Sequence, residues 1–247
     1  MIMQARIKVR LKLLFAPILL VKHQSRLGLC GILLLMVSFF AAGCCCQTNR
    51  GETFEPRTIN FGSSEFGASP AGFSTALTGG GPPVSWQVRE DSTAPNSKRV
   101  LVQESSDDTS YRFPLCIYDD FVARDAAVEV NYKAISGKVD QAGGIVLRYS
   151  RENYYIARAN ALEDNVDLFK TVNGKRSKIQ EVSVKVTPGE WHALRFEARG
   201  SDLRVAFDGK VVIETQDLTF SQPGKIGLWT KADSVSEFAD LKIEPAR

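Results

Sequence analysis

Histidine is almost missing: outside the first 43 residues, this chain of 247 has one, His192. A His-based triad or zinc cluster needs more imidazole than that, unless carboxylates do most of the work. Cysteine is scarce too. Cys30 lies in an apolar N-terminal stretch, Cys44, Cys45 and Cys46 are consecutive, and Cys116 stands apart. No C-x-x-C spacing occurs, so neither a zinc site nor a redox motif is expected. Cys45 or Cys46 pairing with Cys116, or carrying acyl chains, stays open. In "FPLCIYDDF", Cys116 reads as a small buried hydrophobe. The run Leu27–Phe40, "LGLCGILLLMVSFF", holds fourteen almost wholly apolar residues, short of the roughly 20 that a membrane-spanning helix needs. After it, no apolar pattern of helical period has useful length. A surplus of one charge is also missing. The net charge is +3, yet the first 43 residues hold six of the 31 basic side chains and no acid, leaving 25 basic against 28 acidic. The basic character belongs to the leader, and the body has no electrostatic reason to bind DNA or RNA.

What is there begins with a leader. Arg6, Lys8, Arg10, Lys12, Lys22 and Arg26 precede the apolar run, and Ala41-Ala42-Gly43-Cys44 follows it. A positive region, an apolar region and small residues before a cut make a secretory signal over residues 1–43. Small residues before a cysteine resemble the bacterial lipobox, in which the new N-terminal cysteine, here Cys44, is lipidated. Ala41 stands where the usual lipobox has Leu, which keeps ordinary secretion, or an uncleaved anchor, as alternatives. Each reading puts the body outside the cytoplasm: a cell-envelope lipoprotein held in the membrane by its lipid, or a secreted or periplasmic protein. Residues 44–53 read as a tether and 54–247 as one domain.

That domain has the texture of an all-β protein, with short runs rich in β-branched and aromatic residues between turn signals. Asn173-Gly174 and Asp208-Gly209 each sit between such runs and suit type I′ hairpin turns, which need positive φ at two successive residues. Thr187–Glu190 and Arg199–Asp202 read as further turns. In "WHALRFEAR", His192, Leu194, Phe196 and Ala198 share the apolar face; this parity makes His192 a half-buried, satisfied residue. The stretch Gly62–Pro83, with six Gly, four Ser and three Pro, reads as loop. Many short antiparallel strands at this spacing predict a two-sheet sandwich of jelly-roll type.

The strings "RYSRENYYIARANALEDNV", "WHALRFEARGSDLRVAFDGKVV" and "GKIGLWTKADSVSEFADLKI" resemble the 3-keto-disaccharide hydrolase domain family. The resemblance spans about 126–244, and 86–125 more loosely. It implies the concanavalin A-like lectin/glucanase jelly roll, a fold shared with laminin-G-like binding domains. It also implies carbohydrate as ligand or substrate, with 3-keto-glycoside hydrolysis as the activity. A glycan-binding module and a laminin-G-like protein-interaction module are the alternatives, because fold does not dictate function. Glucanases of this fold carry an E-x-D-x-x-E strand motif whose alternation holds two carboxylates on one face. This chain has no such motif: Glu163, Asn165 and Asp167 alternate with an amide in the middle.

Sugar sites combine flat aromatic surface with planar polar groups. Arg148, Arg158 and Asn160 share a parity in the paired runs 143–150 and 153–161. Trp229 and Lys231 share one face of 225–231, and Tyr149, Tyr154 and Tyr155 lie nearby. Tyr154, Tyr155, Asn160, Trp229 and Lys231 are therefore the candidate substrate-binding residues. Cleaving a 3-keto sugar can begin by removing the acidic proton beside the carbonyl, which calls for a base and a cation for the developing oxyanion. Glu163 and Asp167 are candidate bases, and Arg148, Arg158 or Lys231 candidate cations; each also suits an ordinary salt-bridged strand face. No cofactor is expected. Calcium at Glu163, Asp164 and Asp167, or near Asp119 and Asp120, is the one metal option, against turn capping by the same residues.

Overall fold

Every regular element in the computed structural model is a strand among the described residues, which are 53–247. The leader, Cys44 and nearly all of the expected tether lie outside that range. One sheet has the order β13(Lys210–Gln216), β12(Asp202–Phe207), β11(His192–Arg199), β6(Ala126–Ser136), β15(Val235–Pro245), β4(Arg99–Gln103), β3(Trp86–Glu90), with β1(Arg57–Ile59) also on β15. The other has the order β10(Lys175–Ser183), β9(Asn165–Val172), β8(Asn153–Asn160), β7(Ala142–Ser150), β14(Gly224–Thr230), β5(Arg112–Ala123), β2(Phe73–Gly79). All pairings are antiparallel, and the expected jelly-roll sandwich is what forms.

The hairpin signals act locally. Asn173 and Gly174 have φ of 49° and 74°, Asp208 and Gly209 of 48° and 75°, the left-handed pair that matches the twist of the flanking strands. Alternation then sends one face of each sheet inward. Val128, Val130, Tyr132, Leu194, Phe196, Val205 and Phe238 meet Ile145, Leu147, Tyr155, Leu168, Ile226 and Leu228 in a continuous core. Each such side chain contributes roughly 1.5–3 kcal/mol on leaving water. Cys116 is buried in this core with a free thiol, and burial pushes its pKa up. His192 stacks on Phe207 at 4.9 Å, and its Nδ1 lies 2.8 Å from Asp208 Oδ2.

Two local readings need correction. The glycine-rich stretch read as loop contains β2, which pairs with β5 from Phe73↔Tyr118 to Gly79↔Arg112. Its "FSTALTG" has strand alternation that the surrounding Gly and Pro conceal. The other correction is in β7, where the register against β8 shifts between Leu147 and Ser150 and Arg148 takes a left-handed φ of 54°. Tyr149, 5.7 Å from Tyr154, therefore occupies the outward position that regular alternation would have assigned to Arg148.

Candidate functional site

The outer face of the seven-stranded sheet is the chemically unusual surface. Outward positions of such a sheet are ordinarily polar and wet, yet here Phe113, Leu115, Ile117, Val146, Tyr154, Ile156, Phe169 and Trp229 form a second apolar cluster. Phe113 from β5 and Trp229 from β14 stack at 5.5 Å. Tyr111 meets Phe113 edge-on at 4.7 Å. The guanidinium of Arg176 on β10 lies 4.5 Å from the Phe113 ring, 4.4 Å from Phe169 and 5.6 Å from Trp229. Tyr111 fixes this arm: its hydroxyl donates to Gly174 O at 2.9 Å and accepts from Arg176 N at 2.8 Å.

Beside the aromatic floor is a charged cluster built from β8 and β9. The register Arg158↔Asp167 and Asn160↔Asn165 puts both pairs on the same outward face. Arg158 Nη2 donates to Asp167 Oδ2 at 2.6 Å, to Asn165 Oδ1 at 3.3 Å and to Glu163 Oε2; its Nη1 lies 3.6 Å from Asp140 Oδ1. Asp140 also accepts from Asn160 Nδ2 at 2.8 Å and from Lys231 Nζ. Lys178 stands 3.6 Å from Asp167 and pairs with Glu181. Arg158, Asp140 and Asp167 are buried, whereas the Glu163 side chain is 46% exposed.

Burial and neighbouring charges together set the protonation of this cluster. It pushes the Asp140 carboxyl above the usual carboxylate range, more than Lys231 and Arg158 pull it down. For Glu163, burial is outweighed by the Arg158 charge and hydrogen bond, so its carboxyl titrates below the ordinary glutamate range. Burial alone would depress the Arg158 guanidinium, but Asp140, Asp167 and Glu163 together raise it. Arg176 goes the other way: burial lowers it and the neighbouring Arg158 charge adds to the effect.

Several polar atoms on this face are buried with no hydrogen-bond partner: Arg158 Nε, Asp167 Oδ1, Thr171 Oγ1, Arg176 Nη1 and Trp229 Nε1. Buried polar groups are ordinarily satisfied, and each orphan costs on the order of 1–3 kcal/mol. Donors and an acceptor left open beside an aromatic floor are what a polyhydroxylated ring would satisfy.

Of the residues singled out from sequence, the structure brings together Arg158, Asn160, Glu163, Asp167, Trp229, Lys231 and, at the margin, Tyr154, whose hydroxyl donates to Thr78 Oγ1 at 2.8 Å. Two stand elsewhere. Arg148 is turned by the β7 bulge to the end of the sandwich, where it donates to the carbonyls of Arg124 at 2.7 Å, Phe220 at 2.6 Å and Gly200 at 2.8 Å and pairs with Asp125 at 3.3 Å. Tyr155, one residue out of phase with Tyr154, points into the inter-sheet core and reaches Asp217 Oδ1 at 2.7 Å. Trp229 is fully buried beneath Arg176, so it is the underside of a floor and not an open platform.

Asp140, Tyr111, Phe113, Phe169, Arg176 and Lys178 belong to the face without having been legible as such; alternation in "KRSKIQEVS" places Arg176 and Lys178 on one side but names no partner. Among the described residues no group of three His, Cys, Asp or Glu side chains is placed to hold a metal ion. Four of the five acidic residues considered for calcium are engaged with other partners. Glu163 and Asp167 bind Arg158, Asp164 accepts from Lys185 Nζ at 2.9 Å and Val186 N at 3.1 Å, and Asp119 pairs with Lys225 at 2.6 Å.

Comparison with known proteins agrees with this architecture. A levanase of Bacillus subtilis (strain 168) is 33% identical over 89 residues, which is 35% of this chain but only 13% of the levanase. The carbohydrate-binding module CBM66 from Bacillus subtilis superposes with a TM-score of 0.55 at 24% identity, over 70% of this chain and 95% of the module. Domain 4 of AbnA, a GH43 extracellular arabinanase from Geobacillus stearothermophilus solved with arabinotriose, gives 0.51 at 11% identity, over 76% and 91%. At those identities the likeness is one of fold. The 3-keto-α-glucoside-1,2-lyase-like domain family matches residues 81–244, more than half of the chain and every strand from β3 onward, and the chain belongs to that family.

Proposed function

We propose that this chain is an exported glycan-recognising domain that binds sugar on the outer face of its seven-stranded sheet. The observation that carries the reading is the set of buried, unpartnered polar atoms on Arg158, Asp167 and Arg176 beside the Phe113–Trp229 stack. Sugar hydroxyls would fill those valences, and the C–H face of a ring would meet the aromatic edge. Family membership and the fold shared with a carbohydrate-binding module and with an arabinanase domain solved with arabinotriose support carbohydrate as the ligand class. The leader ending Ala41-Ala42-Gly43-Cys44 supports placement at the cell envelope, anchored through a lipid on Cys44.

The reading is tested with the full chain in detergent micelles, titrated with methyl α-glucoside, a 3-keto-α-glucoside and its unoxidised parent. Tryptophan emission and calorimetry follow binding. Saturable binding that Arg158→Met weakens is the expected result. Absence of binding to all three sugars, with the chain folded, overturns it.

A second reading, 1,2-elimination on a 3-keto-α-glucoside, is favoured by Glu163. Of the three carboxylates around Arg158 it is the one that reaches solvent, and it is ionised at neutral pH. Glu163 would accept the proton from C2 while its electron pair forms an enediolate on the C3 oxygen. As the C3 carbonyl re-forms, the C1–C2 double bond forms and the C1–O bond breaks, and the departing oxygen takes up a proton. Release of an ultraviolet-absorbing enone, lost in Glu163→Gln, is expected. Binding without turnover removes this reading and leaves the first.

A further inference from the structure

Four cations stand around the charged cluster and the aromatic floor beside it, and three of them are already matched. Arg158 has Asp140, Asp167 and Glu163 around it, Lys231 has Asp140, and Lys178 has Asp167 and Glu181. Arg176 pairs with no carboxylate among the described residues. Its guanidinium lies over three aromatic rings, and Nη1 is buried without a partner. Stacking on ring faces favours a cation in that place, worth about 0.5–2 kcal/mol. It does not supply the in-plane acceptors that five guanidinium N–H donors demand. Asp140 and Asp167 attract the guanidinium only from a distance, and a desolvated charge with no carboxylate in contact is costly to keep. Tyr111 accepts from Arg176 N at 2.8 Å and so fixes the strand that carries the guanidinium beside the Arg158 cluster, where Arg158 Nε is also without a partner.

We propose that Arg176 is the ligand-facing cation of this face, and that the sugar taken there carries a carboxylate, as in a uronic acid, which the guanidinium grips. This rests on the carbohydrate reading above and adds the ligand's charge to it. A planar carboxylate accepts two parallel N–H bonds from a guanidinium, the geometry that a point-charge ammonium cannot reproduce. Arg158 cannot take this role without surrendering carboxylates already in place, and Lys231 is held by the buried Asp140.

The test uses the full chain in detergent micelles and two probes, methyl α-glucuronide and methyl α-glucoside, titrated by calorimetry and tryptophan emission. The glucuronide is expected to bind about tenfold or more tightly than the glucoside. Arg176→Gln should erase that preference, weakening glucuronide binding about tenfold more than glucoside binding. Arg176→Lys should restore only part of it, and added salt should shrink it. Far-ultraviolet circular dichroism and the melting temperature show whether each variant is folded. If the variants unfold, the probe preference of the unsubstituted chain still decides. Glucoside binding with no preference for the glucuronide overturns the role of Arg176 and spares the carbohydrate reading. Binding of neither probe overturns both.

Discussion

Replacing Arg158 by methionine removes the centre of the charged cluster and keeps most of its volume. The guanidinium is buried between Asp140 and Asp167, whose side chains are fully buried, with Glu163 at the rim. Breaking a buried ion pair by deleting one partner costs about 3–5 kcal/mol, because the stranded charge is worse off than either the pair or an apolar replacement. Asp140 retains Lys231 and Asn160, and Asp167 retains Lys178 at 3.6 Å, so the lower end, about 3 kcal/mol, is expected. For a sandwich of this size that is a fall of about 6–12 °C in melting temperature, read by tryptophan fluorescence. The sign with pH follows from Asp140. Burial raises its folded pKa even with Arg158 present, so its ionisation opposes folding as pH rises through that value. Without Arg158 the pKa rises further, and the variant recovers stability by protonating Asp140 as pH falls. The deficit should therefore shrink from pH 7 to pH 5. A double variant, Arg158→Met with Asp167→Leu, should regain part of the loss, since pairwise removal leaves fewer stranded charges. A fall of under about 2 °C at pH 7, or a deficit independent of pH, would refute the argument.

Other consequences are checked more simply. Arg148→Met should lower the urea midpoint, by about 3 kcal/mol in unfolding free energy, because three carbonyls and Asp125 lose a buried donor; sugar affinity should not change. Burial pushes the Asp217 carboxyl up, but hydrogen bonds from Lys170, Thr219 and Tyr155 outweigh it and hold the pKa at about 2. The stability this contributes is present above about pH 4 and lost as pH falls toward 2, so the urea midpoints of Asp217→Asn and the unsubstituted chain should differ at pH 7 and converge in acid. Cys44→Ala should abolish palmitate labelling in the producing cell and leave the sugar site intact. Persistent labelling would move the acyl chain to Cys45 or Cys46.

How much of this was legible can be followed residue by residue. The Asn-Gly and Asp-Gly hairpins, the alternation of "WHALRFEAR" and the buried settings of His192 and Cys116 were all readable, because each depends on neighbours within a few positions. β2 was hidden by its glycine- and proline-rich flanks, although its own seven residues alternate. The error at Arg148 came from the same rule that succeeded elsewhere: parity transfers from strand to strand only while the register is unbroken, and one residue in the left-handed region of β7 reverses it. Tyr154 and Tyr155 share the rule's other consequence, since adjacent strand residues cannot share a face.

The sequence by itself determined the all-β class, the turn positions, the inward face of most strands and the family, all of which follow from period-two patterning and local backbone preference. Which charges neutralise one another was decided only in three dimensions. Arg158 meets Asp140 and Asp167 across strand pairings, Arg176 crosses from β10 to rings on β5, β9 and β14, and Arg148 leaves for the sandwich end. The physical reason is that a side chain's electrostatic partners depend on register, bulges and distance through space, which no local pattern encodes.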